Sequence, residues 1–127
     1  MDMFTYNAEC ERVVDGDTII AKVDLGFSVW KKVRVRLDGM NAPESRTRDK
    51  EEKVKGLAAK ARLKEIMDLN DNKFILIVNG IGKYGRALGE VMVVSVGTNQ
   101  DISPTQTNVN KLLINEGHAV KYDGGKR

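Results

Sequence analysis

Residues 18–37 read TIIAKVDLGFSVWKKVRVRL. Ile19, Ala21, Val23 and Leu25 alternate with Ile20, Lys22 and Asp24, and Phe27, Val29, Val33, Val35 and Leu37 then keep the same two-residue step. That period belongs to a strand with one buried face. Gly26 offers a turn between the two runs, so the stretch predicts an antiparallel hairpin. Arg34 and Arg36 fall on the face opposite the valines and Leu37, where cations ordinarily meet water. Phe27 and Trp30 flank the hairpin and read as core or barrel-rim residues.

Outward from the hairpin, AECERVV (8–14) predicts an earlier strand, and Pro43 closes the β block. Residues 45–55 are highly charged without an apolar period and predict a mobile loop. Gly56, Ala59, Leu63, Ile66 and Met67 recur at helical spacing and predict an amphipathic helix that stops near NDN (70–72). KFILIV (73–78) predicts a strand buried on both sides, and LGEVMVVSV (88–96) another. GTNQDISPTQT (97–107) reads as a polar loop, and NVNKLLINEG (108–117) as a short helix with Gly117 as its stop. HAVKY (118–122) has the pattern of a last short strand. Five strands, with a helix between the third and fourth, predict a strand-rich α+β fold. The expected form is a five-stranded barrel of the oligonucleotide/oligosaccharide-binding type with two to three helices. No internal repeat or linker interrupts residues 1–127, so one domain is expected, with its core at about 10–122.

The chain has 127 residues, enough for one hydrophobic core. No apolar run reaches bilayer length, and MDMFTYNAEC (1–10) lacks the pattern of a secretory signal. The single cysteine, Cys10, excludes an internal disulfide and a cysteine-rich zinc site. A cytoplasmic, monomeric protein with no membrane or obligate protein partner is the default expectation; a secreted form whose signal has been removed would read the same way. Net charge is only +3, from 21 Lys+Arg against 18 Asp+Glu. A phosphate-rich partner is permitted by that balance rather than demanded.

Three short stretches hold polar residues that a barrel does not need. In VVDGDT (13–18), Asp15 and Asp17 flank a glycine turn and Thr18 follows, oxygen groups of the kind a hard cation such as Ca²⁺ requires. In VRLDGMNAPE (35–44), Pro43 fixes the backbone beside the Glu44 carboxylate, eight residues after Arg36. In GKYGRALGEV (82–91), Arg86 enters a strand after a Lys-Tyr-Gly turn. Two guanidinium groups converging on one point need an anion between them, and a phosphate accepts two hydrogen bonds from each.

These three stretches, in this order and around an amphipathic helix, resemble the staphylococcal nuclease (thermonuclease) family from about Val13 to Gly117. The resemblance implies a nuclease that hydrolyses phosphodiester bonds of DNA, and RNA also, with the 5′ oxygen leaving and little sequence specificity. It implies one Ca²⁺ ion as cofactor. Asp17 resembles the calcium-binding aspartate, with Asp15 just behind it. Arg36 and Arg86 resemble the arginines that hold the scissile phosphate, and Glu44 the carboxylate that orients or deprotonates the attacking water. Lys83 and Tyr84 resemble residues that contact a terminal phosphate, and Tyr122 a tyrosine lining the base pocket.

One position departs from the family pattern. Asn41 stands where the family has a second metal-binding aspartate, so one negative charge is missing and the cation should be held more weakly. Ala42 replaces a frequent threonine, which matters less if its backbone carbonyl makes the contact. A catalytically weak or inactive barrel that binds nucleic acid or a protein ligand is the alternative that Asn41 keeps open. His118, just past a helix stop, reads as a packing or surface residue.

Overall fold

A computed structural model describes residues 4–82, 85–94 and 106–122. The chain runs β1 (Thr5–Asp15), β2 (Thr18–Asp24), β3 (Trp30–Leu37), β4 (Met40–Asn41), α1 (Lys50–Leu69), β5 (Lys73–Ile81), β6 (Ala87–Val93), β7 (Thr107–Asn108), α2 (Val109–Asn115) and β8 (Val120–Lys121). The main sheet is ordered β3-β2-β1-β5-β6-β7, and β3 also pairs with β6. That second pairing is parallel, through Val35–Ala87, Arg36–Leu88 and Leu37–Gly89. It closes β1, β2, β3, β5 and β6 into a five-stranded mixed barrel, the expected architecture. The two-residue β4 and β8 pair as a separate ribbon.

The hairpin forms as its periodicity requires. Ile19, Ala21, Val23, Val35 and Leu37 point into the barrel with Leu76 and Val91. Phe27 and Val29 do not continue the buried face. They belong to the turn, where Leu25 N–H donates to the Val29 carbonyl at 2.8 Å and Val29 N–H to that of Gly26 at 2.9 Å. Phe27 is fully exposed and Trp30 is 46% exposed, so both are rim residues and neither is core. β5 is buried mainly on one side, at Phe74 and Leu76, while Ile75 and Ile77 are half-buried, which corrects the two-sided expectation.

α1 starts earlier than its apolar stripe suggests, so residues 50–55 are helical rather than loop. The cause is polar. The Asp49 carboxylate accepts from the N–H groups of Glu51 and Glu52, and those two acids complement the helix dipole in the first turn. The helix ends where the Asn70 side chain donates to the Ile66 carbonyl at 2.7 Å and Asp71 and Asn72 turn to positive φ. Its buried residues are Gly56, Ala59, Leu63, Ile66 and Met67, as the spacing predicts. No helix among the described residues is long and apolar enough to cross a membrane.

Two glycines let α1 approach backbone to backbone. A Cβ on Gly56 would stand 2.3 Å from the Glu44 carbonyl oxygen, and one on Gly16 would stand 2.6 Å from the Ala59 Cβ. The helix therefore sits directly on the 15–17 turn and the 42–45 segment. Across the bundle, Arg62 of α1 grips Glu116 through Nε and Nη2 at 2.7 and 2.8 Å, tying α1 to the end of α2. These bonds raise the Arg62 pKa and lower that of Glu116, since each stabilises the partner's charged form.

Candidate active site

The β1–β2 turn presents two carboxylates with different partners. Asp17 is buried; its Oδ1 accepts from the Thr18 hydroxyl at 3.0 Å and its Oδ2 from the Ala42 N–H at 3.1 Å. Asp15 Oδ1 accepts from both the N–H and the hydroxyl of Ser45. The turn thus holds the segment following β4 at both ends, and Glu44 lies between those anchors with its side chain exposed. The Glu44 N–H donates to Glu52 Oε2 at 3.2 Å, a third tether, this one from α1.

Arg36 reaches this turn because it is paired with Thr18 across the β2–β3 ladder. Its Nη1 stands 3.0 Å from Asp17 Oδ2, and its Nη2 donates to Asn41 Oδ1 at 2.8 Å. Both members of the ion pair are mostly buried, and Nη1 makes no well-directed hydrogen bond, so charge alone holds it against Asp17. Tyr122 lies on the other side, its ring centroid 5.9 Å from the Arg36 guanidinium carbon. The Tyr122 N–H donates to the Gly39 carbonyl at 2.9 Å, which keeps the chain after β8 beside β4.

Arg86 immediately precedes Ala87, the residue of β6 that pairs with Val35. Its backbone therefore leads into the strand next to the one bearing Arg36, one step before the Val35–Ala87 pair, and its carbonyl accepts from the Gly82 N–H at 2.7 Å. Lys83 and Tyr84 lie outside the described residues. His118 is half-buried, 4.0 Å from Glu116 Oε1, and lines a cavity of about 610 Å³ next to Asn41 and Ala42.

Whether this donor set suits a hard cation turns on Arg36. Among the described residues no group of three or more His, Cys, Asp or Glu side chains could hold a metal ion. Asp17 and Asn41 nevertheless aim oxygens at one cationic group, the guanidinium, with the Ala42 backbone adjacent. They form a seat for positive charge, built from one carboxylate and one amide oxygen. Such a set fits a hard cation of modest affinity.

Ser45 and Gly56 are structural parts of the site that motif reading passes over, and Gly16, read only as a turn, also seats α1. Gly56 did leave a signal, because a glycine on the apolar face of a helix implies close approach of another backbone. Ser45 left none beyond its place after Glu44. Asn110 is a further case: buried, it donates to the Asp38 and Gly89 carbonyls at 2.8 and 3.0 Å and accepts from the Val91 N–H at 3.2 Å. It welds α2 and β6 to the turn before β4.

No curated protein matches the chain. The family model described as staphylococcal nuclease homologue matches residues 34–126, which takes in Arg36, Asn41, Glu44 and Arg86. With a barrel of the expected topology, that match is decisive: the chain belongs to the staphylococcal nuclease homologue family.

Proposed function

We propose that this protein is a calcium-dependent nuclease that hydrolyses phosphodiester bonds of DNA, and of RNA, with little base preference. The observation that carries the proposal is the Asp17–Arg36–Asn41 cluster, with contacts of 3.0 and 2.8 Å. A guanidinium held between a carboxylate and an amide oxygen is placed by the fold, yet it can exchange partners when a phosphate arrives. Asp17, Asn41 and the Ala42 carbonyl would hold the calcium ion. Bound there, the ion would lend positive charge to a phosphodiester as its oxygens gain negative charge.

The protein's own groups do the rest. Arg36 would turn both prongs from Asp17 and Asn41 to the phosphate, joined by Arg86 from the neighbouring strand. The exposed Glu44 carboxylate, on its tethered segment, orients a water and accepts its proton. Tyr122 supplies a face for the base or sugar beside Arg36. Contacts of this kind address the backbone and not base edges, so little sequence specificity is expected. A cytoplasmic monomer is the corresponding proposal for its state and location.

A second reading has its own support. Asp17 already has both oxygens engaged, so a barrel that binds nucleic acid without cleaving it fits the same contacts. Incubation with single-stranded DNA in calcium, then in chelator, separates the two. Cleavage that chelation abolishes supports the nuclease. A stable complex with intact DNA in calcium refutes it and supports the binding module.

A further inference from the structure

We propose that the outer face of β3 is a track for single-stranded nucleic acid, leading from Arg36 to an aromatic platform at Trp30 and Phe27. This rests on the nucleic-acid function proposed above and adds the path the strand takes. Trp30, Lys32, Arg34 and Arg36 alternate along β3 and so share its outer face. Cations at alternate residues are about 7 Å apart, a step suited to successive phosphates of an extended strand. From Arg36 to Trp30 is about 20 Å, a span suited to the shorter single-strand sites of such barrels.

The sheet register widens the track. Arg12 and Arg34 flank Ile20 on β2, and Lys22 lies beside Lys32. Arg12, Lys22 and Arg34 are exposed and form no ion pair with another described residue. Lys32 meets Glu11 at 3.4 Å, but its side chain is 67% exposed, so the pair is weak and readily exchanged for a phosphate. Glu9 in the Lys22 row and Asp24, whose carboxylate accepts from the Gly26 N–H, are the acids nearest the far end. The guanidiniums of Arg12 and Arg34 gain nothing from each other; an anion laid between them does.

The aromatic end is the second, independent observation. Phe27 and Ser28 both hold positive φ, 55° and 62°, in a turn closed by two backbone hydrogen bonds. A phenyl ring in left-handed backbone and full water contributes nothing to the core. Stacked on a base, it would strengthen binding. On the opposite face of β3, an apolar cavity of about 390 Å³ includes Phe4, Leu25, Val33 and Ile81. That cavity also takes in Lys31, and Trp30 lines a second one of about 350 Å³ with Phe74, Ile75 and Met92; what sets the outer face apart is the row of Lys32, Arg34 and Arg36 leading to Trp30.

Trp30 is the sole tryptophan, so its fluorescence reports on the far end of the track. The experiment titrates the protein in chelator with a thymidine dinucleotide and an octanucleotide, at several salt concentrations. The octanucleotide should quench Trp30 and the dinucleotide should not. Lys32→Ser with Arg34→Ser should weaken octanucleotide binding about tenfold and flatten its salt dependence by about 0.7 for each phosphate left ungripped. Phe27→Ser should weaken binding without changing the salt slope, and Lys60→Ser with Lys64→Ser on α1 should do neither. Normal octanucleotide binding and cleavage in the β3 double variant would refute the track alone. A parent protein that does not bind the octanucleotide in chelator and does not cleave it once calcium is restored would refute the nucleic-acid function with it. Quenching by phosphatidylserine vesicles but not by the octanucleotide would overturn the track in favour of an apolar surface.

Discussion

Gly56→Ala sets two physical effects against each other, and the structure says which wins. In the interior of a helix, alanine in place of glycine is worth about 1 kcal/mol in its favour. The new Cβ, however, would stand 2.3 Å from the Glu44 carbonyl oxygen, 2.4 Å from its carbon and 2.7 Å from the Ser45 nitrogen. Restoring ordinary contact at 3.4 Å requires a shift of 3.4 − 2.3 = 1.1 Å. All three neighbours are backbone, so no side-chain rotation relieves the clash. The displaced segment is the one that Asp17 and Asp15 hold through Ala42 and Ser45, and those hydrogen bonds are worth about 1 kcal/mol each. Overpacking adds about 1–3 kcal/mol.

The net expectation is a loss of about 2–4 kcal/mol, read as a fall in thermal midpoint of roughly 3–5 °C per kcal/mol for a chain of this size. A shift of this extent at Glu44 should also slow hydrolysis by up to about 10²-fold, assayed well below both midpoints. Gly80→Ala is the control, because a Cβ there meets nothing within 4 Å; its midpoint should stay close to the parent's. A Gly56→Ala protein as stable as the parent would show that helix and loop do not touch as described.

Arg36→Lys and Arg86→Lys should each fold normally yet slow DNA hydrolysis by about 10²–10³, since an ammonium cannot reproduce the two-pronged grip; near-normal turnover removes the proposed clamp. Asn41→Asp should tighten calcium binding measured by calorimetric titration, and unchanged affinity would exclude position 41 from the coordination sphere. The Glu116 carboxyl is held below its ordinary pKa of 4.5 by Arg62, so its contribution to stability is full above that value and is lost as pH falls through the folded-state value. Arg62→Gln should therefore flatten the acid side of the stability curve, followed by urea unfolding at several pH values. Burial pushes the Cys10 thiol up to about 11, so native protein should resist alkylation at pH 8 and react only on unfolding; its stability should also decline between about 9 and 11, as the unfolded thiol ionises first.

The barrel was legible because its strands have one buried face. The alternation of Ile19, Ala21 and Val23, then Val35 and Leu37, names the inward side without ambiguity. Phe27 and Val29 carry the same pattern and mislead, since periodicity cannot tell a strand residue from one the turn lifts into water. The start of α1 was hidden for the opposite reason: residues 50–55 have no apolar stripe because they overhang the core, and a single cap at Asp49 makes them helical. Motif reading singles out Asp17, Arg36, Glu44 and Arg86 as the candidate site, and the fold sets Arg36 against Asp17. What motif reading could not supply was how they interact. That Asp15 bonds Ser45, and that Arg36 sits against Asp17, depend on β2–β3 register and on the close seat of α1, which are properties of the folded chain.

The Arg36–Asp17 pair also gives Asn41 a physical meaning. With Asn at 41, one carboxylate and one guanidinium balance, and the cluster is electrically neutral before any ion binds. With Asp there it would carry a net negative charge. Unbalanced charge is costly in a mostly buried cluster, and a negative one repels the phosphate it is meant to receive. On the proposed function, an amide at 41 would trade affinity for the cation against readiness for the anion. In the proposed site the nucleic acid backbone and the metal would favour each other: a cation at Asp17 would relieve Arg36 of that carboxylate, and a phosphate would add negative charge that the ligand set lacks. Calcium affinity should then rise when an uncleavable oligonucleotide is present, and the oligonucleotide should bind more tightly in calcium by the same factor, as linkage requires.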